Sequence, residues 1–180
     1  MTQSRTTVEL PVPVRVDDDG RWSVDDIEMV LVPRHLIVNN LGAAETTLGT
    51  AGAADLVRDA GYRSARTWCQ RQSRFHRLDP VEVVRHYLDQ LSRRGWGRFH
   101  AEELDIAGGT ARVTVHRSAL AERTPPGPDG ACYLFSAWLE GALDHASDGT
   151  GVRGRFTVEE TGCAGAEPGR CTFLGSLHPS

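Results

Sequence analysis

The stretch that decides the fold is Trp96–Ser118, WGRFHAEELDIAGGTARVTVHRS. Two extended runs, Trp96–Ile106 and Ala111–Ser118, flank Gly108-Gly109, a dipeptide suited to the left-handed backbone of a tight turn. In the second run Val113 and Val115 alternate with Arg112, Thr114 and His116, the period of a strand with one buried face. An antiparallel hairpin follows from these features.

Working outward, Asp79-Pro80 is an N-cap followed by proline at the first helical position, and it opens a helix that Gly95 stops. Val84, Tyr87, Leu88 and Leu91 form its apolar face. Ala51 to about His76 also reads as helix. Its strongest stripe is Leu56, Ala60, Ser64 and Trp68, with Val57, Gly61 and Ala65 alongside. Pro33 starts a helical segment, Arg34–Leu48, broken near Gly42 or Gly49. Pro11–Val16 carries alternating valines, Asp17–Gly20 carries turn residues, and Arg21–Val24 returns as a short strand.

Downstream of the hairpin, Glu122–Gly130 contains three prolines and reads as a loop. Ala131–Ser147 is then a helix with Cys132, Phe135, Trp138, Leu139, Ala142, Leu143 and Ala146 on one face. Arg153–Glu160 and Cys171–Leu174 close the chain as strands around a glycine-rich connection. Helices, a hairpin, a helix and a strand pair imply an α+β fold, with an antiparallel sheet packed against several helices. Residues 1–10 are expected to form a flexible N-terminus and residues 11–180 a single domain.

Composition narrows the function. The 180 residues are 39% hydrophobic and 24% charged, within the globular range. A net charge of −4 and no basic run argue against a nucleic-acid partner. Every basic residue other than histidine is arginine, so no internal lysine can form a Schiff base. No apolar stretch approaches the ~20 residues of a membrane span. The polar segment Met1–Glu9 lacks the core of a signal peptide. A cytoplasmic location is expected, in which Cys69, Cys132, Cys163 and Cys171 stay reduced.

The segments Trp138-Leu139-Glu140-Gly141-Ala142-Leu143, Val158-Glu159-Glu160-Thr161-Gly162-Cys163 and Pro168-Gly169-Arg170-Cys171-Thr172-Phe173 together resemble the C-terminal signature of the 4-vinyl reductase domain family. Val32-Pro33-Arg34-His35, the helix around Gly61 and Trp68, and Arg94-Gly95-Trp96-Gly97 extend the resemblance, to a bacterial subfamily, over nearly the whole chain. It implies a ligand-binding fold shared with TRAPP vesicle-tethering subunits and with the sensor domains of phenol-responsive activators. It also implies dimerisation.

The resemblance further implies a zinc site at Glu160, Cys163 and Cys171. Its fourth position falls on Glu140, where the phenol-sensing relatives carry cysteine; Cys132, His145 or a water are the alternatives. Two thiolates and a carboxylate around a hairpin suit tetrahedral Zn²⁺. The same spacing fits a packed thiol pair or a disulfide.

Trp68, Tyr87, Trp96, Phe135 and Trp138 are the aromatic candidates for a pocket between the helices and the hairpin, with Arg34, His35, Asn39, Asn40 and His86 as polar candidates. Singly, each aromatic residue also reads as ordinary core. His86 reads as a solvated surface residue. Gly-x-Ser-x-Gly, Gly-x4-Gly-Lys and a dinucleotide-binding glycine pattern are all absent. Asp144 and His145 diverge by about 100° on their helix and cannot act as a dyad. The expectation is a module that binds a neutral apolar or aromatic molecule, as a sensor, carrier or accessory to a partner enzyme or regulator. The alternative is a small metal-dependent or reductase-related enzyme.

Overall fold

The structure is a computed structural model that describes residues 10–121, 132–163 and 170–179. The expected loop Glu122–Gly130 and most of the expected flexible N-terminus lie outside the described residues, as does the glycine-rich connection 164–169.

The chain opens with three short strands, β1 (Arg15–Val16), β2 (Trp22–Val24) and β3 (Ile27–Met29), paired antiparallel in that order. The residue pattern predicts only two strands here, and β3 is additional. Asp25 and Asp26 both adopt left-handed backbone (φ 49° and 60°) in the two-residue turn between β2 and β3, where a tight hairpin demands positive φ. Helix α1 (Arg34–His76) is broken at Gly49, whose φ of 73° and ψ of 168° lie outside the helical region. Helix α2 (Pro80–Arg93) starts where expected. Asp79 Oδ1 accepts from the amides of Val81 and Glu82 at 2.9 and 2.8 Å, and Glu82 Oε2 accepts from the Asp79 amide at 3.1 Å. That reciprocal arrangement is a capping box.

The main sheet has the order β4 (Arg98–Asp105), β5 (Thr110–His116), β7 (Arg170–His178), β6 (Arg155–Gly162), all neighbours antiparallel. Val115 stands opposite Phe99 on β4 and Cys171 on β7, and Val113 opposite Phe173. These positions make the apolar face of the sheet. Helix α3 (Tyr133–Thr150) lies between that face and α1.

The sequence pattern assigned α3 one apolar face, but the structure buries it almost all round. Ser136, Ala137, Glu140, Gly141, Asp144 and Ser147 are buried alongside Phe135, Leu139 and Leu143. Two neighbours, a sheet and a helix, leave this helix little solvent face. The stripe on α1 also differs from expectation. Leu56 is exposed, and the buried line runs through Ala53, Gly61, Ala65, Cys69 and Gln72. Small side chains there let the helices approach. A Cβ on Gly61 would sit 3.1 Å from Ala137 Cβ, and one on Gly141 would sit 2.2 Å from the Tyr62 carbonyl oxygen.

Carboxylates on α3 complete the outer edge of the sheet. Glu140 Oε1 accepts from the Val158 amide at 3.1 Å and from Arg58 Nη1 at 2.8 Å. One turn on, Asp144 Oδ1 accepts from the Phe156 amide at 2.7 Å, while its Oδ2 accepts from the Tyr62 hydroxyl at 2.8 Å and Arg155 Nη1 at 3.3 Å. Phe156 and Val158 alternate along edge strand β6, so α3 satisfies two edge donors that would otherwise be buried without a partner.

Gly141→Ala should destabilise the fold by roughly 1–3 kcal/mol, because a methyl group would overlap a backbone oxygen. Gly42→Ala meets nothing within 4 Å and should stabilise by about 0.5–1 kcal/mol through helix propensity. Urea unfolding of the two variants against the native chain checks both signs.

Candidate functional site

A cavity of about 470 Å³ lies between the N-terminal strands and the helices. Trp68, Tyr87, Trp96 and Trp138 form its inner wall, and Trp22, Val24 and Met29 its outer wall. The aromatic side chains brace one another. Trp68 and Tyr87 have centroids 4.9 Å apart, and Trp96 meets Trp138 edge-on at 4.8 Å. Phe135 stands one layer behind, fully buried, against Trp138, Phe99 and Phe173.

Four of the five aromatic residues expected to form a pocket therefore meet at one cavity, and Phe135 supports them from the core. The cavity opens toward the N-terminal sheet, not the hairpin as expected. Arg34 and His35 occupy the exposed first turn of α1 and do not line it. The chain lines the cavity through Val30, Leu31 and Val32 instead, just before α1 begins. Trp22, Met29 and Arg94 also line it, beyond the residues that the sequence pattern points to. No local pattern signals that a short N-terminal hairpin folds back over α1 and α2.

The outer wall is fastened at the β2–β3 turn. Asp25 Oδ2 lies 3.1 Å from His76 Nε2, and the Asp25 carbonyl accepts from Gln72 Nε2 at 3.4 Å. Gln72 Oε1 in turn meets His86 Nε2 at 3.0 Å. His86, expected to be solvated, is half-buried and stacks on Trp68 at 5.5 Å. Burial, and then the nearby His76, push the His86 imidazole below its ordinary pKa.

A second group gathers at the far end of α3. Cys132 caps the helix, Glu160 and Cys163 come from the end of β6, and Cys171 from β7. One donor atom from each lies within 4.8 Å of every other. Cys132 Sγ is 3.6 Å from Cys171 Sγ, which is 3.9 Å from Cys163 Sγ. Tetrahedral zinc with Zn–S bonds of ~2.3 Å separates sulfurs by about 3.8 Å. A disulfide needs about 2.05 Å, and all four cysteines are free thiols.

Glu140 is not part of this group. Its carboxylate is committed to Val158 and Arg58, and Cys132 takes the fourth position. His145 lies elsewhere, beside a surface hollow shared with Arg66 and Asp148.

Glu160 orients the cluster by accepting from the Cys132 amide at 2.9 Å through Oε2. Its Oε1 is the one buried side-chain oxygen or nitrogen without a hydrogen-bond partner among the described residues. An orphaned carboxylate oxygen beside three sulfurs is costly unless a cation meets it. The hydrogen bond to Cys171, then burial, then the Glu160 charge push the Cys132 thiol well up. Two packed thiols in a hairpin would explain neither the third sulfur nor the bare oxygen.

The architecture defines an α+β domain with one aromatic cavity and one thiol–carboxylate cluster. The chain belongs to the family described as "Domain of unknown function (DUF5943)", whose model matches residues 8–102, a little over half of the chain. That span holds both walls of the cavity except Trp138, and none of the cysteine group.

No curated protein matches the sequence, but solved structures match the fold. The phenol-responsive sensory domain of the transcription activator PoxR, solved with phenol, has a TM-score of 0.77 at 14% identity, covering 91% of this chain and 84% of that one. A trafficking protein particle complex subunit 3 from Naegleria fowleri, covalently bound to palmitic acid, has a TM-score of 0.56 at 10% identity, covering 81% and 95%. An H-NOX protein from S. oneidensis in the Fe(II)NO state has a TM-score of 0.50 at 11% identity, covering 84% and 79%. At these identities the likeness is one of fold. Among the described residues, no helix is long and apolar enough to cross a membrane.

The lowered His86 value has a thermodynamic consequence. A histidine kept neutral in the folded state contributes stability that is whole above its unfolded pKa of ~6.5 and is lost as pH falls below it. His145 is shifted the same way, by burial and then Arg66. Tm should therefore drop between pH 7.5 and 5.5, and His86→Gln/His145→Gln should flatten that drop. An equal slope in the double variant would assign the loss to other groups.

Proposed function

We propose that this chain is a small-molecule-binding module whose aromatic cavity takes an apolar or aromatic ligand, and whose cysteine–glutamate group holds a structural zinc ion. The observation that carries the reading is the convergence of Trp68, Tyr87, Trp96 and Trp138 on one cavity. Its volume lies in the range of ordinary ligand sites, and a few polar groups interrupt its apolar lining. The PoxR domain was solved with phenol and the trafficking subunit with palmitic acid, so the same fold elsewhere accommodates apolar bodies of different shape. Membership of the 4-vinyl reductase family, carried by the C-terminal motifs, belongs to this reading.

The zinc assignment rests on the sulfur spacing, the chemistry of three thiols and a carboxylate, and the bare Glu160 oxygen. Zinc there would be closed by four protein donors, Cys132, Glu160, Cys163 and Cys171, which is the pattern of a structural site. A metal-dependent enzyme needs an open coordination position, so the enzymatic alternative loses its natural centre. The module would act as a single domain over residues 11–180, in the cytoplasm, as a sensor, carrier or accessory to a partner enzyme or regulator. A homodimer is the assembly that the family resemblance favours.

Native mass spectrometry should find one zinc per chain. Cys132→Ser or Cys163→Ser should release it, while Glu140→Gln and Cys69→Ser should keep it. Retention in Cys132→Ser together with loss in Glu140→Gln would reverse the assignment. For the cavity, phenolic and apolar compounds should raise Tm and nucleotides should not. A ligand at 100 times its Kd adds about 2.7 kcal/mol. Trp138→Ala should weaken the shift.

A further inference from the structure

Among the described residues, the cavity-wall cation Arg94 meets no carboxylate. Arg94 follows α2, and its side chain runs back along the helix to line the cavity. Its Nε donates to the Gln90 carbonyl at 3.0 Å, and Nη1 approaches the Met29 sulfur at 4.0 Å. The guanidinium carbon lies 5.6 Å from the Trp68 ring centroid, over its face. A carbonyl, a thioether and an indole face are all neutral partners.

Five other arginines, four on the helices and one on β6, meet carboxylates. Arg58 pairs with Glu140, Arg63 with Asp59, Arg66 with Asp148, Arg93 with Asp89 and Arg155 with Asp144. Arg93 also touches the cavity, but its charge is already answered at the surface. Burial pulls the Arg94 guanidinium below its ordinary range, although arginine remains protonated at neutral pH. The site therefore carries a desolvated positive charge facing an aromatic chamber.

Tyr87 adds a donor beside it. The side chain is largely buried and lines the same cavity; no described residue hydrogen-bonds its hydroxyl, whose oxygen is not sealed off as the Glu160 Oε1 is. Burial pushes this phenol well up, so it stays protonated and donates, and the Arg94 charge acts on it.

We propose that the ligand of this cavity is a monocarboxylate with an aromatic or aliphatic body, its carboxylate held by the Arg94 guanidinium and the Tyr87 hydroxyl and its body packed against Trp68, Trp96 and Trp138. This rests on the reading of the cavity as the ligand site and specifies its ligand class. A guanidinium presents parallel N–H donors that match a planar carboxylate, and the cation–π contact with Trp68 holds it at the cavity wall. A carboxylate is ionised at neutral pH, whereas a simple phenol is not. One cation in an apolar chamber selects a single negative charge, and a nucleotide brings several. Arg94 thus reverses the preference for neutral molecules that the aromatic residues alone suggest.

The test uses the full chain and two matched pairs, 2-naphthoate against 2-naphthamide and octanoate against octanamide, followed by tryptophan fluorescence and calorimetry at pH 7.5. Within at least one pair the acid should bind roughly 10- to 100-fold tighter than its amide, the range of one charge-assisted hydrogen bond. Arg94→Met should remove that preference and leave amide binding within about threefold, less than the tenfold that 1.4 kcal/mol represents. Equal binding of acid and amide to the native chain overturns the anion inference and leaves the cavity reading standing. Binding of neither pair overturns both. The native comparison decides the inference even if Arg94→Met fails to fold.

Discussion

Everything in this fold depends on how closely α3 is held between α1 and the sheet. Gly141 faces the Tyr62 carbonyl oxygen with no room for a methyl group, and Gly61 faces Ala137 and Trp138 with little to spare. Backbones this near each other leave α3 little solvent face, so Glu140 and Asp144 must find partners inside. Glu140 and Asp144 find them in edge strand β6, in Arg58 and Arg155, and in Tyr62. Removing one member of such a set strands a buried charge or amide, which is why these contacts act together and not one by one.

Both candidate sites hang on the same helix. Its N-terminal residue, Cys132, meets Cys171, Cys163 and Glu160 at the end of the β6–β7 pair. A turn and a half later Trp138 forms part of the cavity wall, backed by Phe135. Holding the cysteine group therefore also sets where the first turns of α3 stand, and with them the floor of the cavity. The opposite wall is held differently. The N-terminal sheet is small and is fastened mainly by Asp25, through His76 and Gln72.

Several features were readable in the residues alone. The N-cap at Asp79, the buried face of α2, the β4–β5 hairpin and a helix break at Gly42 or Gly49 depend on groups within a few positions of each other. Helix and strand periods report those directly. The motif Glu160-x2-Cys163-x7-Cys171 was equally local, since a strand end and its return bring the three donors together. Less legible was the stripe on α1. Hydrophobicity favours Leu56, yet close helix packing rewards Gly61 and Ala65, whose value lies in what they leave out.

What the sequence by itself determined is the helices, the β4–β5 hairpin, the antiparallel character of the sheet and the chemical kinds gathered in the C-terminal motif. Only the tertiary structure decided which acid serves the sheet and which serves the thiols. Glu140 and Glu160 are alike as sequence symbols, and only the crossing of α3 sends one to Val158 and the other to Cys132. It likewise decided that Trp22 and Met29 close a cavity that Arg94 enters, while Arg34 and His35 stay outside. Those outcomes depend on contacts tens of residues apart in the chain. Local periodicity carries no information about such contacts, because they are set by how whole elements pack.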